Sequence, residues 1–291
     1  MEEKNAPHYL DASSNHRRSR ISRPRIGSIV LRFTSCQAEI AESFCRILSA
    51  FIGKGLGVPA AFVGDIPWQE RERLLDLGEI DVCWICGLLY VKKSIRQFAI
   101  KLLAAPVMAH PRYAGLPIYY SDIVVHAESS LRSFSDLRGA VWAYNELNSH
   151  SGYNLVRYHL ATQGIRDRYF GRVVESGSHQ DSLQMLLSRT IDATAIDSTV
   201  LEMAFAREPG IIKKVRTVTV LGPSPAPPWV VHRSVPDEMQ EALRREFLSR
   251  HTCREGQDML DAAGISRFAC MSDENYDPIR EIDRVAATVE W

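Results

Sequence analysis

"IYYSDIVVHAESSLRSFSDLRGAVWAYNELNSHSGYNL" occupies residues 118–155. Its opening, rich in Ile, Tyr and Val, reads as a β-strand, because such side chains pack well on a pleated surface. "SFSDLRGA" reads as a short helix stopped by Gly139, and "VWAYNE" as the next strand. A helical pattern then covers 151–163, closed by Gly164. Ahead of it stand Asn145, Asn148, Ser149, His150 and Ser151. One Ser or Asn is enough to cap a helix. The surplus has two readings. It is an over-dressed cap, or it is an anion site built on the free N–H groups and partial positive charge of a helix start.

The same strand–helix grammar extends outward in both directions. Upstream, "RIGSIVLRF" is a strand, "AEIAESFCRILSAFIGKGLG" a helix and "PAAFVGD" a strand. "WQERERLLDLGE" is a short helix, and the apolar run "IDVCWICGLLYV" suits a strand buried on both faces. "FAIKLLAAPVM" is a further strand candidate. Downstream come "GRVVESG", "SHQDSLQMLLSRT", "IDATAID" and "STVLEMAFARE", alternately strand and helix, and then helical patterns over 236–250 and 254–263. This alternation predicts an α/β fold with mostly parallel sheets. Two stretches suit hinges: 117–122, and "LGPSPAPP" at 221–228. A chain that crosses at both makes a two-lobed protein with its ligand in the cleft. The expected division is a disordered basic leader over 1–25, a first lobe of 26–120 plus 222–291, and a second lobe of 121–221.

Composition narrows the function. The 291 residues include 35 Lys plus Arg and 35 Asp plus Glu, so no global charge points to nucleic acid or an acidic membrane surface. No apolar run approaches the length of a membrane span. "HRRSRISRPR" at 16–25 carries five Arg but no aromatic or amphipathic pattern. The following "IGSIVLRFTSC" reads as a first strand rather than an export signal, because Arg32 interrupts a short apolar stretch. The expectation is a cytoplasmic chain. The alternative is a periplasmic or lipid-anchored one, if the leader ends near Cys36 as a degenerate signal. The six cysteines form no disulfide framework, and "CWIC" at 83–86 lacks the partner pair of a metal site. No metal or cofactor is expected.

Residues 118–155 resemble the phosphate, phosphite and phosphonate substrate-binding proteins of ABC transporters. That family combines a Tyr-containing crossover strand, an S-x-x-D-L-x-G turn and a D-P-x-S-T-S-G-Y helix entrance. "VVESGSHQDSL" at 173–183 resembles its G-S-H-x-x-S segment, and "IDATAIDS" at 191–198 resembles its D-A-x-x-[IV]-D-S strand end. The resemblance implies a type 2 periplasmic-binding fold, with two α/β lobes and a double crossover hinge. It implies capture of a small phosphorus oxyanion, without catalysis, and an ABC permease as partner. Ser149, His150 and Ser151 become the oxyanion-binding helix start. His179 and Asp197 become cleft residues of the second lobe. Trp84 and Tyr90 lie in or beside the first-lobe loop, and Tyr120 on the crossover. Two departures stand out: His150 replaces the family Thr, and Glu146-Leu147 replaces Asp-Pro. A histidine there can carry a proton and reach the ligand. The alternative is an enzyme on the same fold acting on a small anionic metabolite, with His150, His179 and Asp197 as acid–base groups.

Overall fold

A computed structural model describes residues 30–95 and 99–290. The basic leader at 1–25 lies outside them. The chain forms two sheets. The first contains β1 (Leu31–Ser35), β2 (Ala60–Phe62), β3 (Val82–Trp84) and β4 (Ile100–Met108), together with two late strands described below. Its helices are α1 (Glu42–Leu56), α2 (Trp68–Asp76) and α3 (Gly87–Ile95). The chain then crosses into β5 (Ile118–His126) and continues through β6 (Val141–Tyr144), α4 (Leu155–Thr162), β7 (Arg172–Glu175) and α5 (His179–Leu187). β8 (Ala193–Asp197), α6 (Ser198–Arg207) and β9 (Val215–Pro225) complete the second sheet and its cover. The chain returns through β10 (Trp229–His232), α7 (Asp237–Ser249), α8 (Arg254–Ala262) and β11 (Ile265–Ala269), and ends in α9 (Asp277–Ala286).

The strand orders are β11-β4-β10-β3-β1-β2 and β7-β6-β8-β5-β9. Both sheets are mixed, which corrects the expectation of mostly parallel sheets. β1, β2 and β3 run parallel, but the returning β10 enters between β3 and β4 antiparallel to both. β5 likewise pairs antiparallel with β8 and β9. A chain that crosses between lobes twice must bring one strand back against the direction of the others. At the crossing the two connections touch: Ala226 N–H donates to the Pro117 carbonyl at 2.8 Å.

Strand alternation sorts the core. Val82, Trp84, Trp229 and Val231 face one cluster with Leu48 and Phe247, while Cys83, Ile85 and Val230 face the other with Leu88 and Tyr276. In the second sheet Ile123, Val125 and Trp142 point to one side and Val124, Ala143 and Ile196 to the other. "IDVCWICGLLYV" is not one long strand. β3 ends at Trp84 and α3 starts at Gly87, so the apolar run covers a strand, a turn and a buried helix start. A run buried on all sides carries no period to separate the two. "SFSDLRGA" folds as a 3-10 turn, Phe134–Leu137, with Ser133 and Asp136 forming a capping box. β1 pairs with both β2 and β3, so a leader ending at Cys36 would remove a central strand.

Candidate functional site: the interlobe cleft

A cleft of about 680 Å³ opens where strand ends of the two sheets face each other. The first lobe contributes the loop after β1 (Cys36, Gln37), the loop into α2 (Gly64, Asp65, Trp68), Arg71 and Cys86. The second contributes Tyr119, Asn145, Glu146, Ser149, Ser151, Gln180, His179 and Asp197. Each second-lobe residue stands at the end of a strand or the start of a helix, so turn geometry aims it.

The entrance to α4 is the most elaborate of these. Its first turn, His150–Asn154, is a π-turn, a form that recurs at functional sites. Ser149 Oγ accepts from Gly152 N–H at 3.0 Å, so Ser149 is a true cap. Gly152 leaves room for a neighbouring side chain: a Cβ there would fall 1.9 Å from Asn145 Oδ1, and that amide would have to move. Ser121 Oγ donates to the Ser151 carbonyl at 2.8 Å. That bond fixes the turn on β5 and leaves the Ser151 hydroxyl 3.2 Å from His179 Nε2. Ser149 and Ser151 are nearly buried, yet both line the cleft.

The charges of the cleft are unusual for an anion site. Arg71 is the one Lys or Arg along it among the described residues. Its guanidinium is consumed by the carbonyls of Ile66, Ser35 and Gly64 and by Glu42, 2.5 Å away. Burial holds His179 neutral, lowered to about 4, against the support of the Ala195 carbonyl. Burial raises Asp197 to about 6, opposed by bonds from Thr199 N–H and Oγ1 at 2.8 and 2.7 Å. Burial also raises Glu146 to about 7, helped by Glu72 and Glu175 and opposed by Lys92. Asn145 Oδ1, Glu146 Oε2 and Gln180 Oε1 are buried acceptors without a hydrogen-bond partner. The cleft thus offers neutral donors at one helix start and acceptors around it.

Four of the eight residues expected from the sequence meet here: Ser149, Ser151, His179 and Asp197. Asp197 also caps α6, so the capping and cleft readings hold together. The other four are not among the lining residues. Trp84 stacks on Trp229 with ring centroids 5.5 Å apart and donates to the Pro227 carbonyl at 2.9 Å, behind the cleft wall. Tyr90 donates to Asp273 at 2.6 Å and packs against Tyr276. Tyr120 points at Arg112, while its neighbour Tyr119 faces the cleft. Successive strand residues face opposite ways, so only one of the two can face the cleft. His150 is wholly buried between the two serines, with its ring turned from the cleft and its pKa lowered by burial to about 3. Burial disfavours the protonated form of this ring. Gln37, Trp68 and Gln180 also line the cleft, and no sequence signal marks them, since a single loop or helix-start residue gives no sign of which way it faces.

The family described as "ABC transporter, phosphonate, periplasmic substrate-binding protein" matches residues 37–276. This overturns the cytoplasmic location expected from the leader, which weighed the N-terminal residues alone; the family is periplasmic. The phosphonates-binding periplasmic protein of Escherichia coli (strain K12) is 21% identical over 210 residues, 70% of this chain and 60% of that protein. A probable ABC-transporter phosphite-binding protein of Prochlorococcus marinus (strain MIT 9301) is 19% identical over 84% of this chain and 85% of its own length. Two crystal structures share the fold with a TM-score of 0.78, each covering 89% of this chain. One is the binding-protein component of an ABC phosphonate transporter from Pseudomonas aeruginosa, 17% identical over 87% of its length. The other is the Prochlorococcus marinus protein in complex with methylphosphonate, 19% identical over 99% of its length. The two-lobed fold, the family match and the helix entrance agree, and the chain belongs to the phosphonate-type periplasmic substrate-binding proteins of ABC transporters.

Proposed function

We propose that the cleft captures a small phosphorus oxyanion, with the Ser149 and Ser151 hydroxyls at the α4 entrance as its donors. The observation that carries this reading is a helix start that places the Ser149 and Ser151 hydroxyls on the cleft, with no free Lys or Arg side chain along it among the described residues. A phosphoryl group has enough acceptor oxygens to use them, and a helix N-terminus stabilises its charge. Asp197 and Glu146 repel a bare dianion. They suit a ligand whose oxyanion is protonated or whose organic part carries an amine. Delivery to an ABC permease rests on the family alone. Among the described residues no helix is long and apolar enough to cross a membrane.

Native mass spectrometry of the purified protein, followed by phosphorus NMR of the released ligand, tests the reading. The expected result is one retained small anion containing phosphorus. A retained ligand without phosphorus would contradict it.

A further inference from the structure

His150 is the chain's clearest departure from its family, and the structure gives it a partner. Its ring is wholly buried, and Nε2 lies 3.0 Å from Ser224 Oγ. Asn154 Nδ2 stands 3.4 Å from Nδ1. With that amide donating, the ring proton sits on Nε2 and is donated to Ser224. Ser224 belongs to β9, the second crossover strand, and pairs in register with Tyr119 of the first crossover strand, β5. It lies two residues before Ala226, where the two connections hydrogen-bond to each other. The Tyr119 ring, a cleft wall, packs beside the imidazole at 6.4 Å. The His150 backbone N–H behaves differently: it faces the Cys86 sulfur across the cleft.

The entrance to α4 is therefore fastened to both crossovers. Ser121 of β5 holds the Ser151 carbonyl, and His150 holds β9 through Ser224. A threonine at position 150 is too short to reach Ser224. We infer that His150 is a positioning residue: it ties the anion-binding helix entrance to the second crossover, so that ligand seated at the entrance resists reopening of the hinge. This inference rests on the capture reading above. It assigns His150 no contact with the ligand.

The test uses methylphosphonate as probe, with Ser224→Ala, His150→Thr, His150→Gln and the double variant His150→Thr/Ser224→Ala. Glutamine can place its amide near the position of Nε2. One lost hydrogen bond corresponds to about a five- to tenfold change in affinity. Ser224→Ala and His150→Thr should each weaken binding by about that factor, mostly through faster dissociation. His150→Gln should stay within about twofold of wild type, and the double variant should be no weaker than the worse single one. A purely structural role would lower the melting temperature and leave the dissociation rate of folded protein unchanged. Wild-type affinity in His150→Thr, or losses that multiply in the double variant, would overturn the proposal. If wild type binds neither methylphosphonate, phosphite nor phosphate, the capture reading fails on its own. The tie is then judged in ligand-free protein by hydrogen exchange. Faster exchange at the amides of 150–155 in Ser224→Ala supports it, and unchanged exchange overturns it.

Discussion

Ser151 Oγ and His179 Nε2 stand 3.2 Å apart in the cleft, joining the entrance of α4 to the start of α5. Because burial keeps the imidazole neutral, one partner donates and the other accepts, and the pair adds no positive charge to the site. The arrangement orients the Ser151 hydroxyl without making it a cation's neighbour.

Ser149 and Ser151 should separate in their effects when each is replaced by alanine. Ser151 caps nothing, and its partner His179 lines the cleft, where water can replace the lost hydroxyl, so Ser151→Ala should cost affinity with only a small fall in melting temperature. A charge-assisted hydrogen bond contributes about 1.5–3 kcal/mol, which is roughly tenfold or more. Ser149 also accepts from Gly152 N–H, so Ser149→Ala should add about 1 kcal/mol of lost stability. Calorimetry and thermal denaturation on the same samples distinguish the two. Equal melting temperatures for both variants would refute the division of labour.

Gly152→Ala should damage binding more than folding. The new methyl group meets Asn145 Oδ1 at 1.9 Å and Ser149 Oγ at 3.2 Å, so the cap and the cleft amide must move. Overpacking of this kind costs about 1–3 kcal/mol in stability. Binding of methylphosphonate should be lost at concentrations where wild type is saturated. Retained affinity would mean that the entrance is looser than its contacts imply.

Asp197→Asn isolates one electrostatic contribution. Burial raises the Asp197 carboxyl to about 6, above its unfolded value near 4. Its contribution to stability is fully present below about pH 4 and lost as pH rises through about 6. The buried imidazoles oppose this. His150 and His179, lowered to about 3 and about 4, contribute stability present above about pH 6.5 and lost as pH falls. Asparagine keeps the cap on Thr199 without the charge. The variant should gain on the order of 2–3 kcal/mol over wild type at pH 8, with the gap closing toward pH 4. A gap independent of pH would contradict the assignment.

Arg71→Lys should unsettle the first-lobe wall. One ammonium cannot serve the carbonyls of Ile66, Ser35 and Gly64 together with Glu42. Unfolding by urea should show a loss of about 2–4 kcal/mol. An unchanged midpoint would show that the loops hold without the guanidinium.

Much of this was legible in the sequence. Turn residues and strand alternation placed β5 through α6, and the helix entrance announced itself by its excess of hydrogen-bonding groups. The end of the chain was not legible. β11 and α9 follow α8 without a strong apolar run, and α9 gains its place by packing chiefly on α4 and α3. Tyr119 and Tyr120 are equivalent in composition, and only the register of β5 against β9 decides which one faces the cleft. His150 stands in sequence between two serines that line the cleft, but its partner Ser224 lies 74 residues away, a contact no local pattern reveals.

Titration calorimetry decides whether a phosphorus oxyanion binds at the entrance of α4. Methylphosphonate, phosphite and inorganic phosphate are titrated into wild type and Ser151→Ala. Single-site saturation by at least one of the three is expected, weakened about tenfold or more in the variant. No binding of any of them at millimolar concentration, or equal affinity in the two proteins, would contradict it.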